Sequence, residues 1–348
     1  MGKISTVLRH DVPLEDKNTL HLNAVAKNFY KIHKFGELKM VHKFYRQLYK
    51  EDKQIKLLVI GEGSNIVLAN QDINALVVCP ALKGFYIERQ NKDEVFVNCS
   101  AGEKWRDFVI KCCQNGWSGL ENLAGIYGTV GAAPVQNIGA YGEQVGDWIY
   151  KLKTYNVKTG KYKVYTAEKC RFAYRSSVFK TKHPFEMITS VTFRLNKHFI
   201  LNDSYAALAA KFRDVPDYQI TPLNVAKAVT EIRNSKLPDV NVLGNAGSFF
   251  KNPLVSKERY EELKKKYPDI SAFDDDKGVK ISAGWLIEKC GFKGKRKGNV
   301  GMYEKQALVL VNYGGATYQE VLSYAEDVKK AVFDTFNIEL EAEPKIIE

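Results

Sequence analysis

This sequence of 348 residues lacks the features of several protein classes. It contains no apolar run near the roughly 18 residues that a membrane-spanning helix needs, and its N-terminal residues include no apolar segment typical of a signal peptide. Internal repeats and linkers rich in Pro, Gly or Ser are also missing. We therefore expect a cytoplasmic protein with closely packed domains and no membrane partner.

Metal and disulfide chemistry have no support in the pattern of cysteines and histidines. The six cysteines form no CxxC pair, and no histidine follows His198. We expect no metal site and interpret the cysteines as reduced, buried thiols of a cytoplasmic protein. They are Cys79, Cys99, Cys112, Cys113, Cys170 and Cys290.

Positive charge is in excess, since 52 Lys and Arg residues against 40 Asp and Glu residues give a net charge of +12. This balance favours anionic ligands, although lysines that only solvate the surface would produce it too. The most basic run is KGKRKGN, with Lys293, Lys295, Arg296 and Lys297. No RNA-binding signature, helix-turn-helix or zinc finger accompanies it, so we interpret it as a solvated loop and expect no nucleic-acid partner.

Glycine is concentrated between Gly119 and Asp147, at positions 119, 125, 128, 131, 139, 142 and 146. A flexible linker would not carry the apolar residues that lie between these glycines. The segment therefore predicts a folded backbone surface that a ligand can approach closely. We expect the ligand to be large and flat, or phosphorylated.

Residues 57–68, LLVIGEGSNIVL, predict two apolar strands joined by a tight turn. The turn is not the Rossmann fingerprint, because Ile66 occupies the place of that pattern's third glycine. Its backbone N–H groups suit an anion nest, with further hydrogen bonds from Ser64 and Asn65. An ordinary hairpin turn is the alternative.

The remaining periodicity mixes strands and helices. Alternation predicts strands over 93–102, 150–165 and 186–195, and helical spacing predicts a buried face of Trp105, Phe108, Val109 and Cys112. The fold class is thus α+β rather than a doubly wound parallel sheet. Near residue 220, Thr221 and Pro222 predict a helix start and a domain boundary, and Thr317 with Glu320 predicts a capping box before a long helix.

Three polar positions stand among apolar neighbours and could carry chemistry. In GNAGSFFKNP, Ser248 suits a hydroxyl that donates a proton at a desolvated centre, although a structural turn would look the same. Arg175 is suited to an oxyanion or phosphate, with a structural ion pair as the alternative. Glu343 lies with Glu339 and Glu341 on one face of an extended segment. One of these glutamates could form an ion pair with an arginine, or the face could be solvated.

Together these segments resemble the UDP-N-acetylenolpyruvoylglucosamine reductase family of bacterial peptidoglycan synthesis. The resemblance covers nearly the whole chain through the blocks GEGSNIVL, ENLAGIYGTVGAAPVQNIGAYGEQVGD, YRSSVFK, GNAGSFFKNP and KISAGWLIEKCGFKG, followed by QALVLVN and LEAEP. It implies an FAD-binding region of the vanillyl-alcohol-oxidase type over 1–219, with α+β subdomains over about 1–80 and 81–219. The first subdomain would be joined by the tail at about 338–348, and a C-terminal α+β substrate domain would occupy 220–337.

The resemblance further implies a monomeric flavoenzyme with FAD and NADPH as cofactors. Hydride would pass from NADPH to FAD, and then from flavin N5 to C3 of the enolpyruvyl group of UDP-N-acetyl-3-O-(1-carboxyvinyl)glucosamine. Ser248 would protonate C2 to give UDP-N-acetylmuramate. Arg175 and Glu343 would polarise the substrate carboxylate and stabilise the enolate-like intermediate.

Binding residues follow from the same matched blocks. The resemblance assigns the UDP-sugar to Tyr141, Tyr205, Lys236, Asn252 and Gln306. It assigns FAD to Gly61, Glu62, Gly63, Ser64, Asn65, Ile66, Gly125, Gly128, Thr129, Gly131, Ala132, Gln136, Gly139 and Ala140.

The chain departs from the family pattern at two places, and two other classes of protein are alternatives. Tyr205 and the spacing around it match a subtype with a longer middle insertion, in which a tyrosine loop covers the substrate, although the surrounding residues follow the pattern less faithfully. Tyr127 stands where the family usually has proline, which leaves that turn less rigid. A different oxidase or dehydrogenase on the same flavin fold would lack the Ser248 block, and a nucleic-acid-binding protein would depend on charge alone.

Overall fold

The computed structural model describes residues 7–348 and divides them into two compact units. The first unit comprises the described part of Met1–Val12 together with Val25–Glu62 and Asp72–Arg233, and the second comprises Pro13–Ala24, Gly63–Gln71 and Asn234–Glu348. No described helix is both long enough and apolar enough to cross a membrane. The mixture of helices and strands in both units confirms the α+β fold class.

The helices, in chain order, are α1 (Leu38–Glu51), α2 (Trp105–Gln114), α3 (Ala167–Cys170), α4 (Val178–Thr181), α5 (Ala206–Phe212), α6 (Pro222–Lys236), α7 (Lys257–Lys266), α8 (Ala283–Lys289) and α9 (Tyr318–Phe336). The strands are β1 (Arg9–Pro13), β2 (Val25–Ile32), β3 (Lys56–Val59), β4 (Ile66–Leu68), β5 (Asp72–Pro80), β6 (Phe85–Gln90), β7 (Glu94–Ser100), β8 (Gly139–Ala140), β9 (Glu143–Gln144), β10 (Ile149–Asn156), β11 (Lys161–Thr166), β12 (Glu186–Asn196), β13 (Gly244–Ser248), β14 (Leu254–Val255), β15 (Ala272–Asp275), β16 (Gly278–Ile281), β17 (Arg296–Lys297), β18 (Val300–Met302), β19 (Val309–Asn312) and β20 (Lys345–Ile347).

The first unit contains two larger sheets with separate cores and the two-stranded sheet of β8 and β9. One has the order β1-β2-β5-β3, with β2 and β3 both parallel to β5, and amphipathic α1 packs its apolar face into that core. The other is antiparallel with the order β11-β10-β12-β7-β6. Helices α2 and α6 cover it: Trp105 and Phe108 from α2 and Val229 from α6 are buried in one cluster. The predicted strands over 93–102 and 186–195 and the predicted helix are confirmed, whereas the run over 150–165 forms two strands, β10 and β11.

The second unit is built from short sheets and one long helix. Its sheets have the orders β13-β19-β18-β17, β14-β16-β15 and β20-β4. Thr317 and Glu320 form the predicted capping box of α9, whose apolar stripe is buried. Strand β4 pairs in parallel with the C-terminal β20. Because β3 pairs with β5 instead, the alternative of a simple hairpin over residues 57–68 is wrong.

Candidate functional site

In the first unit, the turn that begins at Gly61 lies against the glycine-rich segment. A Cβ at Gly61 would lie 2.8 Å from Thr129 Oγ1, closer than side chains approach, so only glycine permits this contact. The Glu62 carboxylate accepts a hydrogen bond of 2.8 Å from the backbone amide of Gly128. The structure therefore brings together two of the segments from which the sequence predicts a ligand-binding backbone.

The residues of this surface fit a group with polar edges and negative charge. Among the described residues, the backbone amides of Gly125, Ile126 and Thr129 have no hydrogen-bond acceptor. Gly131 packs so tightly on Ala101 that a Cβ would lie 2.5 Å from the alanine methyl group. Free amide donors beside close-packed glycines form the kind of concave backbone that binds phosphate or a ring carbonyl. Gln136, Gly139 and Ala140 continue this half-buried stretch.

Tyr141 stands at the tip of the hairpin formed by β8 and β9. Its φ is +50° and that of Gly142 is +81°, as a two-residue type I′ turn requires. A tyrosine in this left-handed conformation is strained, so the surrounding contacts must hold it there. Burial raises the pKa of the Tyr141 phenol, which keeps it protonated and able to donate a hydrogen bond.

Arg175 also has a left-handed backbone, with φ of +51°. Its Nη2 donates a hydrogen bond of 2.7 Å to the carbonyl of Gly139, and a Cβ at Gly139 would lie 2.9 Å from Nη1. Buried Asn137 donates to the carbonyl of Ala173 and accepts from the amide of Gly146, so it connects the arginine's turn to the hairpin. These contacts place the guanidinium across the glycine-rich segment.

Sequence reasoning missed a second arginine at this surface. Arg233, near the end of α6, lies with its Cδ 3.2 Å from the position of a Cβ at Gly125 and donates a hydrogen bond to the Tyr141 side chain. Its Nε is buried without a hydrogen-bond partner among the described residues, and burial lowers its pKa. An arginine on an otherwise apolar helix face was the available signal. Tyr127, the unusual residue of the turn, packs its ring 4.0 Å from the guanidinium of Arg106.

In the second unit, Ser248 and Glu343 lie on adjacent segments. Ser248 ends β13 and is half-buried, and the amide of Glu343 donates a hydrogen bond of 2.9 Å to the carbonyl of Phe249. Asn65 donates to the Glu343 carbonyl at 3.4 Å, so part of the predicted anion nest adjoins this pair. Gly63 has φ of +67° and lies against the backbone of Lys17, where a side chain would collide.

The three alternating glutamates differ in their surroundings. Glu341 forms an ion pair with Lys251, and Glu339 is exposed. Glu343 is half-buried beside the Ser248 strand. Of the three glutamates, Glu343 is therefore the least exposed.

Two of the predicted UDP-sugar residues of the second unit, Asn252 and Gln306, lie at the start of α8. Asn252 Oδ1 accepts a hydrogen bond of 3.0 Å from the amide of Ala283, and Gln306 Oε1 lies 3.0 Å from the position of a Cβ at Gly284. Lys236 is half-buried at the end of α6. Tyr205 and Arg175 belong to the first unit, where Tyr205 packs edge-on against Tyr141 with ring centroids 4.8 Å apart.

Three residues of the basic run around Lys295 contact neighbouring side chains. Lys293 pairs with Glu288 at 2.9 Å and Lys297 pairs with Asp327 at 2.6 Å. Arg296 lies 4.3 Å from the ring centroid of Tyr313. These neighbours reduce the positive charge that the run presents. Among the described residues, no group of His, Cys, Asp and Glu is arranged to hold a metal ion.

Comparison with known proteins gives consistent matches. The model of the UDP-N-acetylenolpyruvoylglucosamine reductase C-terminal domain matches residues 238–347, and that of an FAD binding domain matches residues 41–164. A protein of Flavobacterium johnsoniae named UDP-N-acetylenolpyruvoylglucosamine reductase is 43% identical over 98% of this chain and 99% of its own length. One of the same name from Bdellovibrio bacteriovorus is 43% identical over 96% of this chain and 97% of its own.

The fold has a counterpart among solved structures. The crystal structure of UDP-N-acetylenolpyruvylglucosamine reductase from Thermus caldophilus aligns with a TM-score of 0.66. It covers 98% of this chain and 100% of that chain at 22% identity. At this identity the likeness concerns the fold alone.

Proposed function

The chain belongs to the UDP-N-acetylenolpyruvoylglucosamine reductase family, and we propose that it reduces the enolpyruvyl group of UDP-N-acetyl-3-O-(1-carboxyvinyl)glucosamine to give UDP-N-acetylmuramate for peptidoglycan synthesis. FAD, when bound, supplies hydride transfer from NADPH to C3 of that group. The observation that carries the proposal at the site is the pairing of the Ser248 strand with the segment of Glu343.

Ser248 would hold the proton that C2 of the enolpyruvyl group receives. Hydride addition at C3 pushes an electron pair toward the carboxylate on C2, so a positioned O–H that neutralises C2 lowers the barrier. Phe249 and Phe250, both 1% exposed, keep the base of this strand dry. Partial removal from water strengthens the interaction of the half-buried Ser248 hydroxyl with developing negative charge.

Arg175 and Glu343 would act on the substrate carboxylate. A fixed guanidinium stabilises the enolate-like charge more in the transition state than in the ground state, which is the condition for raising kcat. The left-handed backbone of Arg175 supports this role, since such strain persists where contacts hold a group in place. Glu343, when protonated, could donate to the same carboxylate.

The remaining assigned residues would bind the two anionic ligands. The free amides near Gly125 and Thr129, with Gly61–Ile66, suit the diphosphate and ring edge of FAD. Lys236, Asn252, Gln306, Tyr141 and Tyr205 would hold the UDP-sugar. We further propose that the protein is a monomer and is located in the cytoplasm. Light scattering of the purified protein tests the oligomeric state.

The test begins with the colour of the purified protein. NADPH should bleach bound FAD, and the enolpyruvyl UDP-sugar should restore the colour while UDP-N-acetylmuramate forms. A protein that takes up no FAD, or that recolours without forming this product, contradicts the proposed reaction.

Two substitutions test the residue roles. Ser248→Ala should leave reduction by NADPH intact and slow recolouring by roughly 100-fold or more, as expected for loss of a general acid. Ser271→Ala, an exposed serine of the same unit, is the matched control. Glu343→Gln should impair turnover without releasing FAD, while Glu339→Gln should not. Equal loss in both half-reactions for Ser248→Ala argues against its role as acid.

A further inference from the structure

The segment that carries Tyr205 is tied to the glycine-rich hairpin through side-chain amides. It runs from the end of β12 at Asn196 to the start of α5 at Ala206, without regular structure near Asn202. Ser204 donates its amide to Asn202 Oδ1 at 3.2 Å, and a Cβ at Gly142 would collide with Ser204 Oγ. The segment therefore lies directly on the hairpin tip.

Asn122 connects the Tyr205 segment to the hairpin of β8 and β9. It is 1% exposed, and its Nδ2 donates to the carbonyl of Tyr141 at 2.8 Å and to the carbonyl of Asn202 at 3.0 Å. A buried amide that lost these acceptors would leave donors unsatisfied, so both contacts are costly to break. One side chain thus fixes the strained Tyr141 and the Tyr205 segment together.

Glu143 binds the side chain of Asn202. Its Oε1 accepts a hydrogen bond of 2.5 Å from Asn202 Nδ2, and its Oε2 accepts one of 3.0 Å from Trp148 Nε1. Hydrogen bonds to a charged acceptor are roughly twice as strong as neutral ones. The Asn202 side chain is therefore held by a carboxylate that is itself fixed.

We propose that Asn122, Glu143 and Asn202 form a latch that holds Tyr205 against Tyr141 and so stabilises the arrangement of the segment in which Tyr205 can contact the UDP-sugar. This inference rests on the proposed function, in which both tyrosines contact the UDP-sugar. Ordering a loop upon binding lowers affinity, and contacts that stabilise the ordered arrangement reduce that loss. If only a fraction of molecules had Tyr205 in place, the apparent affinity would be reduced to that fraction of its full value. The latch residues are thus positioning residues for UDP-sugar binding.

The experiment measures steady-state kinetics with the enolpyruvyl UDP-sugar for wild type, Asn202→Ala and Asp203→Ala. Asn202→Ala should raise the KM for the UDP-sugar about tenfold, the effect of losing one hydrogen bond to a carboxylate, with kcat changed by less than about twofold. FAD content should stay unchanged. Asp203→Ala, an exposed neighbour, should behave as wild type.

Conservative substitution and hydrogen exchange separate the latch from general loss of structure. Glu143→Gln keeps an oxygen acceptor for Asn202 and should change KM less than Glu143→Ala does. In Asn202→Ala, hydrogen exchange should accelerate within residues 199–205 and not in β7 or α2. Faster exchange throughout the unit, or equal effects of both Glu143 variants, overturns the latch.

Tyr205→Ala distinguishes failure of the latch from failure of the proposed function. If the latch acts through Tyr205, the double variant Asn202→Ala/Tyr205→Ala should match Tyr205→Ala alone. A raised KM in Tyr205→Ala with normal KM in Asn202→Ala overturns the latch only. A normal KM in Tyr205→Ala also removes Tyr205 from the proposed substrate site, and a wild type without reductase activity refutes the proposed function itself.

Discussion

The contact between Gly139 and Arg175 gives the sharpest prediction for the active site. In Gly139→Ala the new methyl group would lie 2.9 Å from Arg175 Nη1 and 2.9 Å from the carbonyl oxygen of Glu143. The Glu143 carbonyl belongs to the facing strand β9, which pairs with β8 and cannot retreat freely. The flexible end of Arg175 should therefore move and lose its 2.7 Å hydrogen bond to the Gly139 carbonyl.

The expected magnitude follows from that lost contact. A hydrogen bond from a charged donor is worth about 1.5–3 kcal/mol, which corresponds to a fall in kcat/KM of roughly 10- to 150-fold if the guanidinium no longer faces the substrate carboxylate. The fold should survive, because Gly139 does not have a positive φ and the clash is confined to one turn.

The assay is substrate-dependent oxidation of NADPH, with FAD content and thermal unfolding measured on the same preparation. Gly36→Ala is the control, since no atom lies within 4 Å of a Cβ at Gly36 in the same unit. Arg175→Met and the double variant complete a cycle. If Gly139→Ala acts by displacing Arg175, it should add almost nothing in the Arg175→Met background. Independent, additive losses, or wild-type kcat/KM in Gly139→Ala, would refute this reasoning.

Three further predictions concern stability and reactivity. Thr317→Ala removes the capping box of α9 and should destabilise the protein by about 1 kcal/mol in urea unfolding, whereas an unchanged midpoint would contradict the cap's contribution. Burial raises the pKa of Glu121, so the folded state keeps a proton that the unfolded chain releases. The stability of the wild type relative to Glu121→Gln should therefore fall as pH rises above the ordinary carboxyl range. A stability difference between the two proteins that does not change with pH would contradict this prediction. Burial also raises the pKa of Cys170 to about 12, and a thiol reagent should leave the buried cysteines of the native protein unmodified, namely Cys99, Cys112, Cys113 and Cys170.

Local sequence signals predicted the regular elements well. The apolar face of α2 and the capping box of α9 are properties of a few neighbouring residues, so spacing alone reveals them. The pairing partners of β3 and of β4 could not be found in this way. Residues 57–68 have the pattern of a hairpin, but β4 pairs with β20 at the other end of the chain. Non-local pairing depends on the whole fold and leaves no local pattern.

The sequence likewise revealed some residues of the candidate site and not others. Glycine spacing and the Ser248 block identified the segments that we propose to bear the chemistry, because glycine and isolated polar residues are visible one position at a time. Arg233 and Asn122 were missed, since each acts on residues that are distant in sequence. Asn122 contacts the carbonyls of Tyr141 and Asn202, and nothing near Asn122 in the sequence indicates either acceptor.

Backbone strain and buried amides occur together in the first unit, and this association has a physical reason. Asn137, Tyr141 and Arg175 all have φ near +50°, a conformation that costs a non-glycine residue on the order of 1 kcal/mol or more. The amide side chains of Asn122 and Asn137 offset that cost by bonding to the same turns. An amide both donates and accepts, so it can hold two backbone segments at a fixed separation without adding charge beside the arginine. An ionised carboxylate in place of Asn137 could still accept from the amide of Gly146 but could not donate to the carbonyl of Ala173, so the turn of Arg175 would lose that hydrogen bond.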